Sequence, residues 1–192
     1  MINPATLPQE LNGVISSYLN ENEQNNMFNS SKSLRNDGQF YKRIKLNKKN
    51  TLQFFRNKEF RNKILSRCEQ PEKQIYLNAS RSYITDEELK ILKIIKVYTL
   101  DLSHCSNVKD VSALYGVHTL DLRWTKVNDV SALGGVHTLY LGGCDNVTDV
   151  SALDGVHTLH LLNCINVRDV SALGGVHTLN LRLGKNVTAV SA

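Results

Sequence analysis

Apolar and polar residues along the second half of the chain follow a pattern that recurs about every 20 residues. The copies begin at intervals of 20, 19, 20 and 20 residues, at Val97, Val117, Val136, Val156 and Val176. In the copy from Val136, apolar or small residues are spaced by three, two and then repeatedly three positions. The two-residue step joins Leu139 and Leu141 and predicts a short strand with both leucines on one face. The three-residue steps predict tight turns or 3₁₀ segments on the return side.

A unit with one strand and no full helix cannot bury its apolar face alone, so it must stack on its neighbours. We therefore expect six parallel strands, the first in a less regular opening repeat over residues 74–96. Ile75–Leu77 has the pattern of that strand. Thr85–Glu88 has the form of a capping box, and Leu89 and Leu92 follow at helical spacing, which predicts a helix in this repeat.

The recurring positions carry a recognisable motif. It reads Val117-x-x-Leu120-x-Leu122, then Val136-x-x-Leu139-x-Leu141-x-x-Cys144 and Val156-x-x-Leu159-x-Leu161-x-x-Cys164. This resembles the leucine-rich repeat family in its short, helix-poor form. The resemblance implies an α/β repeat solenoid with a parallel β-sheet on its concave face and a helix-poor convex side. The array would occupy residues 74–192.

Several other positions are constant between copies. A glycine precedes each strand, at Gly116, Gly135, Gly155 and Gly175, and suggests a positive φ where the chain turns back into the sheet. An aspartate precedes each Val-Ser-Ala-Leu, at Asp110, Asp129, Asp149 and Asp169. Such a carboxylate can accept from amides two or three residues on and cap the turn. The lack of a repeated partner acid favours this structural role over catalysis.

Cysteines and histidines also share repeat registers. Cys105, Cys144 and Cys164 are predicted to point inward as reduced thiols, in preference to a disulfide or a metal site. A histidine column precedes the strands, at His118, His137, His157 and His177. A zinc ladder or a pH sensor is conceivable, but a repeated hydrogen-bonding residue is the simpler interpretation, and we expect no metal or cofactor.

Strand positions beside the buried leucines should point to the concave face and differ from copy to copy. Diversity on an invariant frame suits a surface that recognises a protein target, although drift at exposed sites would also produce it. Trp124 and Arg123 are residue types that dominate interface energies. The candidate partner-binding residues are Asp101, Asp121, Arg123, Trp124, Tyr140, His160, Leu162, Asn180 and Arg182.

The N-terminal residues predict a small all-α module of three short helices over residues 1–49, the third spanning 31–46. Its opening reads Leu7-Pro8-x-Glu10-Leu11-x-x-x-Ile15-x-x-Tyr18-Leu19 and resembles an F-box. The resemblance implies docking to a Skp1-type adaptor of a cullin ubiquitin ligase. The apolar docking face would consist of Leu7, Pro8, Leu11, Ile15 and Leu19. The polar residues Gln24 and Ser30 depart from the family pattern, and a plain helical cap on the solenoid is the alternative.

The net charge of +5 arises from the first part of the chain. Residues 1–73 carry 13 Lys and Arg against 7 Asp and Glu, and the excess lies between Lys42 and Arg67. Residues 50–73 are accordingly interpreted as a basic helical linker or cap whose Phe54, Phe55 and Phe60 face the core. A nucleic-acid contact is the less favoured interpretation, because no recognised binding motif accompanies these charges.

The sequence points to a protein–protein interaction protein without catalytic activity. It contains no phosphate-binding glycine loop, nucleophile elbow or paired carboxylates at a catalytic spacing. It also lacks an apolar run long enough for a membrane span and a signal-peptide core, so we expect an intracellular protein, cytoplasmic or nuclear. The near-identical copies are similar to F-box and repeat families of large DNA viruses, which would place it in a host cell. A dimer through an uncapped C-terminal edge remains an alternative.

Overall fold

A computed structural model describes residues 43–66 and 74–181, and its main feature is one parallel sheet. Seven strands pair in the order in which they occur in the chain. They are β1 (Arg43–Leu46), β2 (Gln74–Asn78), β3 (Thr99–Asp101), β4 (Thr119–Asp121), β5 (Thr138–Tyr140), β6 (Thr158–His160) and β7 (Thr178–Asn180). The six expected strands are all present, and β1 is an additional one.

Strand β1 corrects the helical interpretation of residues 31–46 at its C-terminal end. Its four residues pair in parallel with the first four of β2, Ile44 opposite Ile75 and Leu46 opposite Leu77. Leu46 is buried whereas Lys45 is exposed, which is the alternation of a half-buried strand. With only four residues, this alternation is too short to be told from a helical pattern by sequence alone.

The repeats are in exact register, so that equivalent residues stack into columns. Leu139 of β5 pairs with Leu120 on one side and Leu159 on the other, and all three are fully buried. The threonines at the start of these strands pair in the same way and lie on the opposite face. The predicted period of two is therefore confirmed.

Short 3₁₀ turns form the return side, as the three-residue steps predict. They lie at Lys90–Lys93, Ser112–Leu114, Ser131–Leu133, Ser151–Leu153 and Ser171–Gly175. The aspartate column caps the last four of them: Oδ1 of Asp110, for example, accepts from the Ser112 N–H at 2.8 Å. Equivalent bonds of 2.9 Å occur in the following repeats. Hydrogen bonds from the Ser112 backbone and side chain lower the pKa of Asp110.

The cysteine column links each coil to the preceding one. Cys144 and Cys164 are fully buried free thiols that donate to the carbonyls of Leu122 and Leu141, each at 3.0 Å. Burial raises the pKa of the Cys144 thiol, and it raises the pKa of the Cys164 thiol to about 12, so both remain protonated donors. Thr125 occupies the same register and donates its hydroxyl to the Leu122 carbonyl at 2.7 Å. The predicted inward position of the thiols is confirmed.

The glycines before the strands do not have the positive φ expected from the sequence. Among the described glycines only Gly143 has one. The glycine before β6 is needed for close packing instead: a Cβ on Gly155 would lie 2.6 Å from the carbonyl oxygen of Gly134 in the preceding coil. A Cβ on the equivalent Gly116 would meet nothing within 4 Å.

Two helices cover the N-terminal end of the described sheet. They are α1 (Lys48–Arg56) and α2 (Lys58–Ser66), and Phe54, Phe55 and Phe60 are buried as predicted. The buried Thr51 of α1 donates to the Leu46 carbonyl and accepts from the Asn78 N–H, so it ties the helix to β1 and β2.

Basic side chains of these helices serve the fold. Arg61 donates to the carbonyls of Phe54 and Phe55, each at 3.0 Å, where α1 ends. Arg56 pairs with Glu88 of the opening repeat. Part of the basic excess is thus used in internal contacts.

The opening repeat contains less helix than predicted. Helix α3 (Asp86–Leu89) has four residues and continues into a 3₁₀ turn. The predicted capping box is present, because Glu88 Oε2 accepts from the Thr85 N–H at 2.8 Å.

The architecture is an α/β leucine-rich repeat solenoid. None of the described helices has the length and apolarity that a membrane crossing requires.

Alanine at Gly155 should destabilise the array, whereas alanine at the equivalent Gly116 should not. We expect Gly155→Ala to lower the free energy of unfolding by about 1–3 kcal/mol, because the backbone of the adjoining coil must shift. Urea denaturation followed by the fluorescence of the single tryptophan measures both variants. Equal stability of the two variants would contradict the close-packing role.

Candidate interaction surface on the open face of the sheet

The open face of the sheet displays the columns that vary between repeats. The open face means the strand positions that flank the buried leucine, together with the second and third residues after the strand. On β4 these are Thr119 and Asp121, followed by Arg123 and Trp124. Strand alternation and the stacking of the coils place the predicted partner-binding residues from Asp101 to Asn180 on this face. Arg182 and the five predicted adaptor-docking residues lie outside the described residues.

The two aspartates at the N-terminal side of this face shape their own turns. Asp101 Oδ1 accepts from the N–H and the hydroxyl of Ser103, at 2.9 and 2.7 Å. Asp121 accepts from the N–H of Arg123 and from both its Nε and Nη2 atoms. This hydrogen bonding to Asp121 raises the pKa of Arg123. Both carboxylates are therefore engaged locally, and the bidentate pair fixes the direction of the Arg123 side chain.

The guanidinium of Arg123 lies at one end of a stack of rings. Its guanidinium carbon lies 5.6 Å from the centroid of the Tyr140 ring in the next coil, within cation–π range. Tyr140 is in turn stacked on His160, with centroids 4.5 Å apart and planes 15° from parallel. Three successive coils thus contribute one continuous group of flat side chains, which the parallel register brings together.

A second stack involves a backbone feature that the sequence did not reveal. The third residue after each of the strands β2 to β6 has a left-handed φ between 52° and 73°; these residues are Arg81, His104, Trp124, Gly143 and Asn163. Such a φ costs a residue with a side chain about 1–2 kcal/mol. Hydrogen bonds between coils hold it: the Trp124 N–H, for example, donates to the Gly142 carbonyl at 3.0 Å. The recurrence of Asn, His and Gly at this position was the only signal available.

This left-handed turn displays the indole of Trp124. The ring is 51% exposed, and it fills the space that a Cβ on Gly143 would need, 2.6 Å from two indole carbons. On its other side it stacks on His104, with planes 13° from parallel. A large apolar ring is therefore held flat against the protein while its outer surface faces solvent.

The remaining members of the predicted set lie at the sides of these stacks. Leu162 is half-buried and Asn180 is exposed on β7. Ser103 and Gly142, which share a register with Arg123, are buried. Over residues 43–66 and 74–181, no group of three or more His, Cys, Asp or Glu side chains is placed to hold a metal ion.

Comparison with solved structures finds a similarity to the crystal structure of internalin C2 from Listeria monocytogenes, at 28% sequence identity and a TM-score of 0.40. The match covers 56% of this chain and 50% of that chain, so the chain spans about half the length of the structure it matches. No family model matches the chain. No curated protein matches it. The repeat assignment accordingly depends on the register and the columns described above.

Alanine at Gly143 should displace the Trp124 ring. The added methyl would overlap the indole and also strain a backbone at φ 73°. We expect a shift in the emission maximum of the single tryptophan and greater quenching by acrylamide, with the fold retained by circular dichroism. Gly174→Ala, where a Cβ meets nothing within 4 Å, is the control. Unchanged emission in Gly143→Ala would show that the ring does not rest on Gly143.

Proposed function

We propose that the protein is a non-enzymatic scaffold that binds a protein target on the open face, centred on Trp124 and Tyr140. The observation that carries this proposal is the exposed indole held between Gly143 and His104. Tryptophan, tyrosine and arginine supply most hot-spot energy in protein interfaces. All three occur together on this surface, in adjoining coils.

The rigidity of the surface supports the same function. Binding costs entropy when long side chains become ordered, and groups that are already fixed avoid part of that cost. Arg123 is held by Asp121 and by the Tyr140 ring, and Tyr140 by His160. The stacked side chains therefore present a surface whose shape is set before a partner arrives. Asp101 and Asn180 would lie toward the rim, where polar contacts add selectivity more than affinity.

We further propose that this scaffold is a substrate-recognition adaptor. The support is the F-box-like sequence from Leu7 to Leu19, which precedes the repeats as a docking module precedes a recognition module. The chain would bind a Skp1-type component of a ubiquitin ligase through Leu7, Pro8, Leu11, Ile15 and Leu19, inside the cell. The open face would then select the protein to be modified.

Loss of the Trp124 and Tyr140 rings should weaken target capture. We expect Trp124→Ala with Tyr140→Ala to reduce retention of the target by at least tenfold, because each ring contributes about 2 kcal/mol or more as a hot spot. The measurement is quantitative mass spectrometry of proteins retained by the immobilised variants. Tyr115→Ala is the matched control, an aromatic residue 55% exposed after a 3₁₀ turn. Targets retained equally by the double variant would exclude the open face.

Adaptor capture should depend on the first residues of the F-box-like segment. We expect the protein to co-elute with a purified Skp1-type adaptor in size-exclusion chromatography, and the Leu7→Ala/Pro8→Ala variant to lose the complex. Gln9→Ala is the control: Gln9 occupies a position where the motif accepts any residue, so this variant should retain the complex. Absence of a complex with the wild type at tens of micromolar would leave the scaffold proposal standing without the adaptor role.

A further inference from the structure

The histidine column forms a continuous stack of imidazole rings along the start of the strands. Neighbouring ring centroids are 4.4 Å apart for His118 and His137, and 4.5 Å apart for both His137–His157 and His157–His177. Adjacent planes are within 13° of parallel. We name these four residues the imidazole ladder. The spacing follows the strand separation, so it is fixed by the backbone and not by the rings themselves.

Each ring of the ladder is also held in orientation by its own strand. The Nδ1 atom lies 3.2 Å from the hydroxyl oxygen of the following threonine in all four repeats, for example His137 and Thr138. At the N-terminal end the ladder continues as tyrosine: His118 stacks on Tyr98 at 4.3 Å, and the Tyr98 hydroxyl lies 3.4 Å from His118 Nε2. The histidine part of the stack therefore begins at His118.

Few other charges face the ladder. On the segments that lead into these strands, the described charged residues are Lys93 and Lys96 before Tyr98, and Asp154 before His157. Asp154 accepts from the Gly175 N–H, which engages its Oδ1 atom in the turn. On the open face the ladder adjoins the uncharged threonine column and, beyond Tyr98, Tyr76. Within residues 43–66 and 74–181, no carboxylate is repeated beside the four rings, so these residues do not supply a column of counter-charges for protonated imidazoles.

Neutral imidazoles stack without penalty at this distance, whereas two protonated neighbours repel each other. Coulomb repulsion at 4.5 Å is appreciable even in water, and rings that keep their contacts with the threonine hydroxyls cannot move apart while the strands stay paired. Partial burial opposes protonation of His118, and His137 adds to this; together they lower its pKa. Desolvation, followed by the charges of His137 and His177, likewise lowers the pKa of His157.

We propose that the imidazole ladder makes the repeat array pH-sensitive: acidification charges neighbouring rings and loosens the coils from residue 117 to residue 180, while the tyrosine-stacked coils before them are unaffected. The proposal does not depend on the proposed target binding. Its physical basis is a column of like, titratable side chains at a spacing that the sheet imposes.

The direction of the effect follows from proton linkage. A histidine whose pKa is lower in the folded state than its ordinary value of 6.5 binds fewer protons when folded than when unfolded. Its contribution to stability is therefore complete above about pH 6.5 and is lost as the pH falls through the folded-state pKa. The sensitive window lies on the acid side of pH 6.5.

Removal of the charge at His137 should ease protonation of both neighbours. We expect the titration curves of His118 and His157, followed by the imidazole C2–H resonances in NMR, to move to higher pH in His137→Gln. His160→Gln is the control: His160 ends the strand that His157 immediately precedes, but its ring stacks on Tyr140 and not on the ladder. Curves of His118 and His157 that do not move in His137→Gln, or that move equally in His160→Gln, would overturn the proposal.

A stability measurement tests the consequence independently. Urea denaturation midpoints of the full chain, read from Trp124 fluorescence, should fall between pH 7.5 and pH 5.0. We expect the fall to be at least halved when His137 and His157 are both replaced by glutamine, because the two histidines left in the ladder, His118 and His177, are then no longer adjacent. Comparing each variant with itself at two pH values removes any general loss of stability. An equal fall in the wild type and the double variant would overturn the proposal.

Discussion

The structure depends on the exact parallel pairing of one coil with the next. Backbone hydrogen bonds set the separation of neighbouring strands at about 4.8 Å, and the unbroken register places each repeat position directly above its equivalent. A residue type that occurs once in the unit therefore becomes a column in the solenoid. Side chains of the same type therefore lie next to one another in each column, and their arrangement must be stable in that contact. This condition accounts for most of the features of the molecule.

The columns satisfy that condition in different ways. Leucine stacks on leucine in the core with no polar cost. The thiols of Cys144 and Cys164 donate to carbonyls of the preceding coil, whereas the hydroxyl of Thr125, in the same register, donates to the Leu122 carbonyl of its own coil. The capping aspartates, which are exposed, accept hydrogen bonds from backbone amides of their own turns. The imidazoles are different, because their compatibility changes when they take up a proton.

The sequence was sufficient for features that depend on the period. The buried leucines, the capping aspartates and the inward thiols follow from spacing and residue type, since side-chain direction in a strand alternates by rule. Features that depend on backbone geometry were not accessible. The four residues of β1 are too few to show a period, and the close approach at Gly155 becomes visible only when the neighbouring turn is in place. The same holds for the candidate surface. Trp124 and Tyr140 could be predicted from the sequence, but the left-handed turn that exposes the indole could not.

The equivalence of successive pairings has a consequence for how such a chain can change over generations. Thr138 pairs with Thr158 as Thr158 pairs with Thr178, and the turns between them have nearly the same sequence. A copying error that duplicates or deletes one whole unit would preserve the strand pairing and the buried leucine column at every remaining junction between coils. The length of the array can therefore drift by complete units, each adding about 4.8 Å of sheet, while substitutions on the open face alter what the array contacts.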